Sequence, residues 1–514
     1  NRICKKILEL SDSMQKGPPE ILTLKLQKEK LDTKGILFRH SFGKENVKCS
    51  MKTIIVLGAT GAGKTTLING MINYILGVEW KDEFRFKLIK EENKTQAERQ
   101  TSTITAYKIY HQEGFAVPYS LTIIDTPGFG DTKGIASDKF VTDKIRELFS
   151  MPGGIDEINA VCFVVQSALA RLTHSQKYIF DSIFSIFGSD IKENIQVLVT
   201  FADGQKPPVL EAINISNIPC PKDENGIPIY FKFNNSAFFA NNTEAESQVD
   251  DNFDKMFWNM GLKSMDKFFK ALGNLETKSL TLTKQVLEER KRLEIAVQGL
   301  LPQIKIVLQK LDEISMTKAA LKEHEDIMDE NKDFQYVVEV PKIVKTDISG
   351  KKEFVTNCLT CNYTCHYPCT ISEDAFKKWC AAMGGDDRNC TVCSGKCPWN
   401  VHHNMSFKID YTTIKEEGTY QKLKVKYEKA CGEKMTTEKI VQELEVELVV
   451  CETVVMELLE ISSKCILQLE QIALRPHPLS TPEYIDLLIQ SEKDEGKPGF
   501  LARIESLKIV KEQA

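Results

Sequence analysis

No run of about eighteen or more apolar residues occurs anywhere in the 514-residue sequence, so a transmembrane helix is not expected. There is no surplus of positive charge either. The 67 Lys and Arg are outnumbered by 72 Asp and Glu, a formal net charge of −5, which argues against a general nucleic-acid binder. The opening Asn1-Arg2-Ile3-Cys4-Lys5-Lys6 leads into no long apolar segment, so it does not read as a signal peptide, and its lack of methionine fits a fragment. Cysteine is sparse through most of the chain and then concentrated. Of 15 cysteines, nine lie between Cys358 and Cys431. Clustering of this kind in a chain with a cytosolic type of site favours metal over disulfides, and a cytoplasmic location is expected. Apolar and charged fractions of 42% and 27% are those of a globular protein. The length calls for about two to four domains.

The most informative segment is Ile54 to Gly70. An apolar, β-branched run enters Gly58-Ala59-Thr60-Gly61-Ala62-Gly63-Lys64-Thr65-Thr66, a G-x-x-x-x-G-K-T loop between a strand pattern and a helix pattern. Glycines let successive backbone N–H groups turn inward around phosphate oxygens, and the following helix aims its positive end at the same anion. Lys64 is expected to reach the β- and γ-phosphates, and the Thr65 hydroxyl to ligate Mg2+.

Three further segments complete a nucleotide site. Leu121–Gly128 is a buried-strand run ending in Asp125-Thr126-Pro127-Gly128. An Asp at that place can hold the Mg2+ shell, and the glycine can offer its N–H to a γ-phosphate. The strand pattern Ile195–Val199 leads into Thr200-Phe201-Ala202-Asp203. The Asp203 carboxylate can accept from guanine N1–H and the N2 amine, a donor pair that adenine lacks. Ile229–Phe233 ends in Asn234-Asn235, whose amides and backbone can contact the base. Switch I is expected within 96–107, where Thr101, Ser102, Thr103 and Thr105 can sense the γ-phosphate; Thr101 and Thr103 are the favoured pair.

GATGAGKTT (Gly58–Thr66), DTPGFGD (Asp125–Asp131), TFAD (Thr200–Asp203) and FNNSA (Phe233–Ala237) together resemble the septin-like branch of small GTPases. They are most similar to the immune-associated GIMAP/IAN proteins, with septins and chloroplast-import Toc GTPases as cousins. The resemblance covers 52–240. It implies a P-loop α/β fold with a mixed, mostly parallel sheet, binding of GTP and GDP with Mg2+, and nucleotide-dependent homodimers or oligomers. Two positions depart from the commoner pattern. Ras-like enzymes carry a water-orienting Gln where this chain has Phe129, so intrinsic hydrolysis is expected to be slow or partner-dependent. The guanine motif reads T-x-A-D rather than N-K-x-D.

From Asn274 the pattern changes to heptads. Val286, Leu293, Leu300, Val307, Ile314 and Leu321 form one series, with Val297, Ile304 and Leu311 beside it. A second run carries Val441, Leu448 and Val455 with Leu444, Cys451, Leu458, Cys465 and Ile472. These predict two long helices, each about 50–60 residues and about 75–90 Å if continuous, paired antiparallel as a coiled-coil hairpin. Packing back as an ordinary bundle is the alternative. Pro302 is expected to kink or split the first helix. Cys451 and Cys465 read as small core residues.

Between the helices lie Cys358, Cys361, Cys365, His366, Cys369, Cys380, Cys390, Cys393, Cys397, His402 and His403. C-x2-C spacing puts two thiolates on one ion, so one or two structural Zn2+ are expected. A segment this small cannot build a sufficient core alone, and metal would replace it. Cys380, beside Trp379, reads equally well as a packed thiol or a ligand, and His403 is the weaker of the histidine pair. The segments 334–340 and 352–355 around Asp347–Gly350 predict a β-hairpin leading into the site, with 406–411 as a third strand.

The resulting organisation is an N-terminal extension over 1–50, a P-loop domain over 51–273, a first helix over 274–332, a β-hairpin and zinc module over 333–412, a second helix over 413–474 and a helical tail over 475–514. The expected function is a GTP-controlled assembly switch meeting an unknown protein partner at its helical arm or zinc tip. An inert nucleotide-bound zinc scaffold and a P-loop ATPase with a mechanical stalk are the alternatives.

Overall fold

The computed structural model describes residues 3–31, 37–90, 103–129, 135–151, 153–170, 174–242, 250–324, 335–351, 353–384, 387–393, 395–419 and 437–475, with isolated positions near 425–429 and 489–508. They form two compact units. One comprises Asn1–Leu287 with Glu470–Pro478, the other Glu288–Leu469 with Leu479–Ala514.

The first unit begins with helix α1 (Ile3–Ile7) and strands β1 (Ser11–Gln15), β2 (Glu20–Leu24), β3 (Gln27–Lys30) and β4 (Leu37–Phe42). Strand β5 (Met51–Gly58) then enters helix α2 (Lys64–Ile75), followed by β6 (Phe84–Lys87), β7 (Ile104–Ile109), β8 (Ser120–Asp125) and helix α3 (Ile135–Ser150). After the short β9 (Glu157–Ile158), strand β10 (Ala160–Gln166), helix α4 (His174–Phe184), β11 (Ile195–Thr200), α5 (Val209–Ile215), β12 (Tyr230–Lys232) and α6 (Asp250–Asn274) complete the alternation, and the short β13 (Lys278–Ser279) pairs with β9.

The main sheet has eight strands in the order β12-β11-β10-β5-β8-β7-β4-β3. Five neighbouring pairs are parallel, while β7–β8 and β3–β4 are antiparallel. The sheet is thus mixed and mostly parallel, as expected. Its central strands are apolar on both faces because helices cover both. Ile55, Leu57, Val161, Phe163 and Val197 point into one buried cluster, and Ile54, Val56, Cys162 and Leu198 into the other. Residues 27–30 and 37–42 belong to this sheet as β3 and β4. Thus the first residues of the chain pack on the nucleotide-binding fold.

In the second unit, helix α7 (Thr281–His324), from Glu288 onward, runs against the last helix, α8 (Thr437–Ile472). Ala296 and Leu300 pack on Val454 and Leu458, and Ile314 on Ile440 and Leu444. As numbers rise along α7 they fall along α8, so the pair is antiparallel. Lys318 and Glu445 add an ion pair at 2.5 Å. Cys465 is buried in the helix pair with Glu289 beside it, while Cys451 is only half-buried. The split anticipated at Pro302 does not occur: α7 continues through it. One turn earlier, the Gly299 carbonyl accepts the Tyr363 hydroxyl at 3.4 Å.

The strand pairing ahead of the cysteine segment also differs from the expected hairpin. Strand β14 (Gln335–Asp347) pairs along its whole length with β20 (Phe407–Thr419), Gln335 opposite Thr419 and Asp347 opposite Phe407. The segment from 353 onward instead gives β15 (Phe354–Cys358), which pairs with β16 (Tyr363–Cys369) and with β19 (His402–His403), while β17 (Met383–Gly384) pairs with β18 (Asn389–Cys390). The cysteine module is therefore inserted at the end of a long two-stranded ribbon. Alternation identifies a strand but not its partner, and here the partner lies beyond the whole module.

Candidate functional site

The phosphate loop is built by the end of β5 and the start of α2. Gly63 caps the helix with φ +85°, a backbone state that a side chain resists. The first turn of α2 holds no acidic residue and no side chain bonds its cap, so its orphan N–H groups are left for an anion. Gly61 also has positive φ, and its carbonyl accepts Gln166 Nε2 at 3.0 Å. Thr65 and Thr66 are half-buried beyond Lys64.

Lys64 is buried, and its Nζ donates to the carbonyls of Gly58 (3.1 Å) and Ala59 (3.0 Å). Burial brings its pKa down to about 8 against the opposing pull of Asp125. Burial pushes Asp125 up to about 7, opposed by Lys64 and a backbone bond at Thr126. Asp125 Oδ1 is buried and has no hydrogen-bond partner among the described residues. Asp125 ends β8, which lies beside β5 and parallel to it, and Lys64 opens α2, the helix that follows β5. A divalent cation beside Asp125 and phosphate beside Lys64 would reverse both shifts, because each supplies the opposite charge that burial penalises.

The segment after Asp125 is tied to the loop. Thr60 N–H donates to the Phe129 carbonyl at 2.9 Å, and Phe129 N–H to the Gly58 carbonyl at 3.2 Å. A Cβ on Gly128 would lie 2.5 Å from Thr60 Oγ1 and 2.6 Å from Thr60 Cα, so only glycine fits. The Phe129 ring is fully buried in the core with Ile55, Leu57 and Phe163. Thr126, which sequence reasoning passed over, is fully buried and donates to the Val56 carbonyl at 2.8 Å, locking β8 to β5.

The base-side residues come to the same edge. Thr200 Oγ1 donates to the Ala62 carbonyl at 2.7 Å, joining the end of β11 to the phosphate loop. Ala202 N–H donates to the Phe233 carbonyl at 3.0 Å, and Asn234 Nδ2 to the Ala202 carbonyl at 3.2 Å. Asp203 is exposed, with one oxygen accepting from Gln205 N–H at 2.8 Å. Asn235 is buried and its Oδ1 has no partner among the described residues. Of the switch I candidates, Thr101 and Ser102 lie outside the described residues. Thr103 precedes β7, and Thr105 stands opposite Asp125 across the β7–β8 pair.

The second unit contains a cysteine-rich core. Cys358, Cys365, Cys369, Cys380, Cys390, Cys393 and Cys397 are all buried there, with Tyr363, Met383 and Val392 among the few larger residues. Three sets of ligand atoms come together: Cys358, Cys361, Cys393 and Cys397; Cys365, Cys390, Cys393 and His402; and His366, Cys369 and Cys380. Within each set all atoms lie within 4.8 Å of one another. Cys361 and Cys397 sulfurs are 3.6 Å apart, and Cys393 Sγ is 3.9 Å from His402 Nε2. His402 Nδ1 is 2.9 Å from the Pro398 carbonyl, which fixes the ring. His403 is not in these sets; its Nδ1 lies 2.8 Å from an Asp374 oxygen. Cys365 and His366, adjacent in sequence, fall into different sets, as strand alternation requires.

The sheet order and the loop geometry define a P-loop GTPase fold. The Septin family model matches residues 48–149, the stretch holding the phosphate loop, β7, β8 and Asp125. No curated protein sequence matches the chain. Among solved structures, the chain is similar to Toc33 from Arabidopsis thaliana in complex with GDP and Mg2+, at 14% identity and TM-score 0.28, over 43% of this chain and 85% of that one. It is likewise similar to Toc33 from Arabidopsis thaliana with Mg2+ and GMPPNP, at 14% identity and TM-score 0.27, over 45% and 88%. A third similarity, at 17% identity and TM-score 0.30 over 45% and 86%, is to a structure of chloroplast translocon components atToc33 and psToc159, for which dimerisation is important for GTPase activity. The fold assignment rests on the strand order and phosphate loop themselves. Among the described residues no helix is long and apolar enough to cross a membrane.

Proposed function

We propose that the chain is a guanine-nucleotide-binding protein of the GIMAP/IAN-like kind, in which GTP controls dimerisation or assembly and hydrolysis is slow or stimulated by a partner. The observation that carries this reading is Asp125. A fully buried carboxylate with an unpartnered oxygen beside a buried lysine is costly unless a ligand completes it. Mg2+ held by Thr65 and Asp125, with the phosphates of GTP or GDP over Gly58–Thr66, completes it. The bound ion supplies charge neutralisation at the phosphates. Lys64 and the first-turn N–H groups of α2 hold the phosphate oxygens, and Gly128 admits the γ-phosphate. Asp203 accepts from the guanine edge, and Asn234 and Asn235 border the base. Thr103 or Thr101 closes the γ-phosphate side.

Slow hydrolysis follows from Phe129. Its ring is committed to the core, so that position offers no group to orient water. The same observation favours a second reading, an inert nucleotide-bound scaffold. Single-turnover hydrolysis, measured alone and at high protein concentration, separates them: any turnover excludes the scaffold.

In the second unit, the two sets that share Cys393 hold structural zinc, one or two ions, in place of the apolar core that the module lacks. The helical pair and the zinc module form the surface for a protein partner, and the protein acts in the cytoplasm. The test of the switch is light scattering with GDP and with a non-hydrolysable GTP analogue. A larger mass with the GTP analogue is expected; equal mass in both states would sink nucleotide-controlled assembly.

A further inference from the structure

We infer that His366, Cys369 and Cys380 form an additional metal site, separate from the sites that share Cys393, and that it takes a zinc-class divalent cation. The inference rests on the zinc reading of the module and adds one ion to it.

The three residues come from different places. His366 and Cys369 lie on β16, and Cys380 follows the short helical turn Asp374–Trp379. All three are buried, at 3% exposure each. The Cys369 and Cys380 sulfurs are 3.9 Å apart, and His366 Nδ1 is 3.2 Å from Cys380 Sγ. Two sulfurs on one tetrahedral zinc, each about 2.3 Å from it, stand about 3.8 Å apart, and a sulfur and a nitrogen about 3.5 Å apart. The first spacing is met closely and the second within a few tenths of an ångström. The sulfur separation is almost twice the roughly 2.05 Å of a disulfide, so the pair is not arranged as one.

The surroundings favour thiolates, the form that binds metal. The Lys377 side chain is fully buried, and its ammonium lies 3.8 Å from Cys369 Sγ, held by the carbonyls of Val355 and Ile371 at 2.8 Å each. A buried ammonium needs a nearby negative charge, and a metal-bound thiolate supplies it. The Thr356 hydroxyl stands 3.3 Å from Cys380 Sγ and 3.3 Å from Lys377 Nζ, completing a ring of donors around the sulfurs of the kind that supports metal ligands. The His366 imidazole turns Nδ1 to the Cys380 sulfur, and its Nε2 is buried without a hydrogen-bond partner among the described residues. Sulfur and imidazole ligands suit zinc over magnesium or calcium. Among the described residues the set supplies three of the four ligands that a tetrahedral zinc takes.

No ligand of this set belongs to the other two, so it can be removed alone. The experiment is elemental analysis of the full chain purified with zinc, comparing the wild type with Cys380→Ser and Cys369→Ser. Each variant is expected to lose one zinc per chain while keeping the remainder and its far-ultraviolet circular dichroism. A folded Cys380→Ser chain with the wild-type zinc count overturns the inference and leaves the Cys393-centred sites standing. A wild-type chain with no zinc overturns both. Should the variants not fold, residue-resolved alkylation of the wild type decides. Cys369 and Cys380 are expected to become reactive on chelation. Reactivity unchanged by the chelator at these two thiols, while Cys390 responds, contradicts the site.

Discussion

The backbone N–H of Thr60 donates to the carbonyl of Phe129 at 2.9 Å, so the phosphate loop and the segment that follows Asp125 are one hydrogen-bonded unit. Gly128 lies between them, with no room for a Cβ against Thr60. Gly128→Ala is therefore expected to push the two segments apart, at a cost of about 1–3 kcal/mol typical of overpacking. Calorimetric titration should show a loss of about tenfold or more in affinity for a GTP analogue, with a smaller loss for GDP.

Asp125 gives a pH dependence with a definite sign. Its carboxyl is raised from 3.8 to about 7 by burial, so the folded, ligand-free chain holds a proton there that the unfolded chain has released. Stability from this group is present at low pH and is lost as pH rises from about 4 to 7. Mg2+ needs the ionised form. The Mg2+-dependent part of GTP affinity is thus expected to grow from pH 6 to pH 8, with proton release on binding. Asp125→Asn should flatten both the pH–stability curve and the pH–affinity curve. Equal slopes in the variant would remove Asp125 from the metal site.

Asp203 is the test of base identity. One of its oxygens accepts from Gln205 N–H and its side chain is exposed, leaving the carboxylate open to a purine edge. Asp203→Ala is expected to weaken GTP by about 1.5–3 kcal/mol, the range for hydrogen bonds to a charged group, and to leave ATP unchanged. Competition titration of the two nucleotides measures this directly. GTP affinity unaltered in the variant would place base recognition elsewhere.

The helix pair makes a stability prediction independent of nucleotide. Leu458 is buried at 1% exposure between Ala296, Leu300 and Val454. Leu458→Ala should cost about 2–5 kcal/mol through lost transfer energy and cavity formation. Gly299→Ala would bring a Cβ to 2.9 Å from Val392 and 3.4 Å from Leu458, with an expected cost of about 1–3 kcal/mol. Thermal unfolding followed at the helical signal checks both.

The nucleotide fold was legible because its signals are local. Phosphate binding needs glycines and a lysine at fixed spacing, and the buried parallel strands announce themselves as β-branched runs. Strand β3 was not legible: Gln27–Lys30 is a polar, exposed edge strand, and nothing in such a segment marks it as part of a sheet. The helix pair was readable from heptads, and its antiparallel sense from chain economy, while the helix runs on through Pro302 without a break. In the cysteine module, spacing revealed metal chemistry but not the grouping. Cys380 lacks a C-x2-C neighbour, so only the fold brings it to His366 and Cys369. That Cys393 lies in two sets is likewise a matter of three-dimensional distance.

The most direct test of the central claim is isothermal titration calorimetry of the purified chain with GTP, GDP and ATP in the presence of Mg2+. Saturable binding of GTP and GDP at one site per chain, abolished by Lys64→Ala and absent or much weaker with ATP, is the expected result. No guanine-nucleotide binding, or equal affinity for ATP, would contradict it.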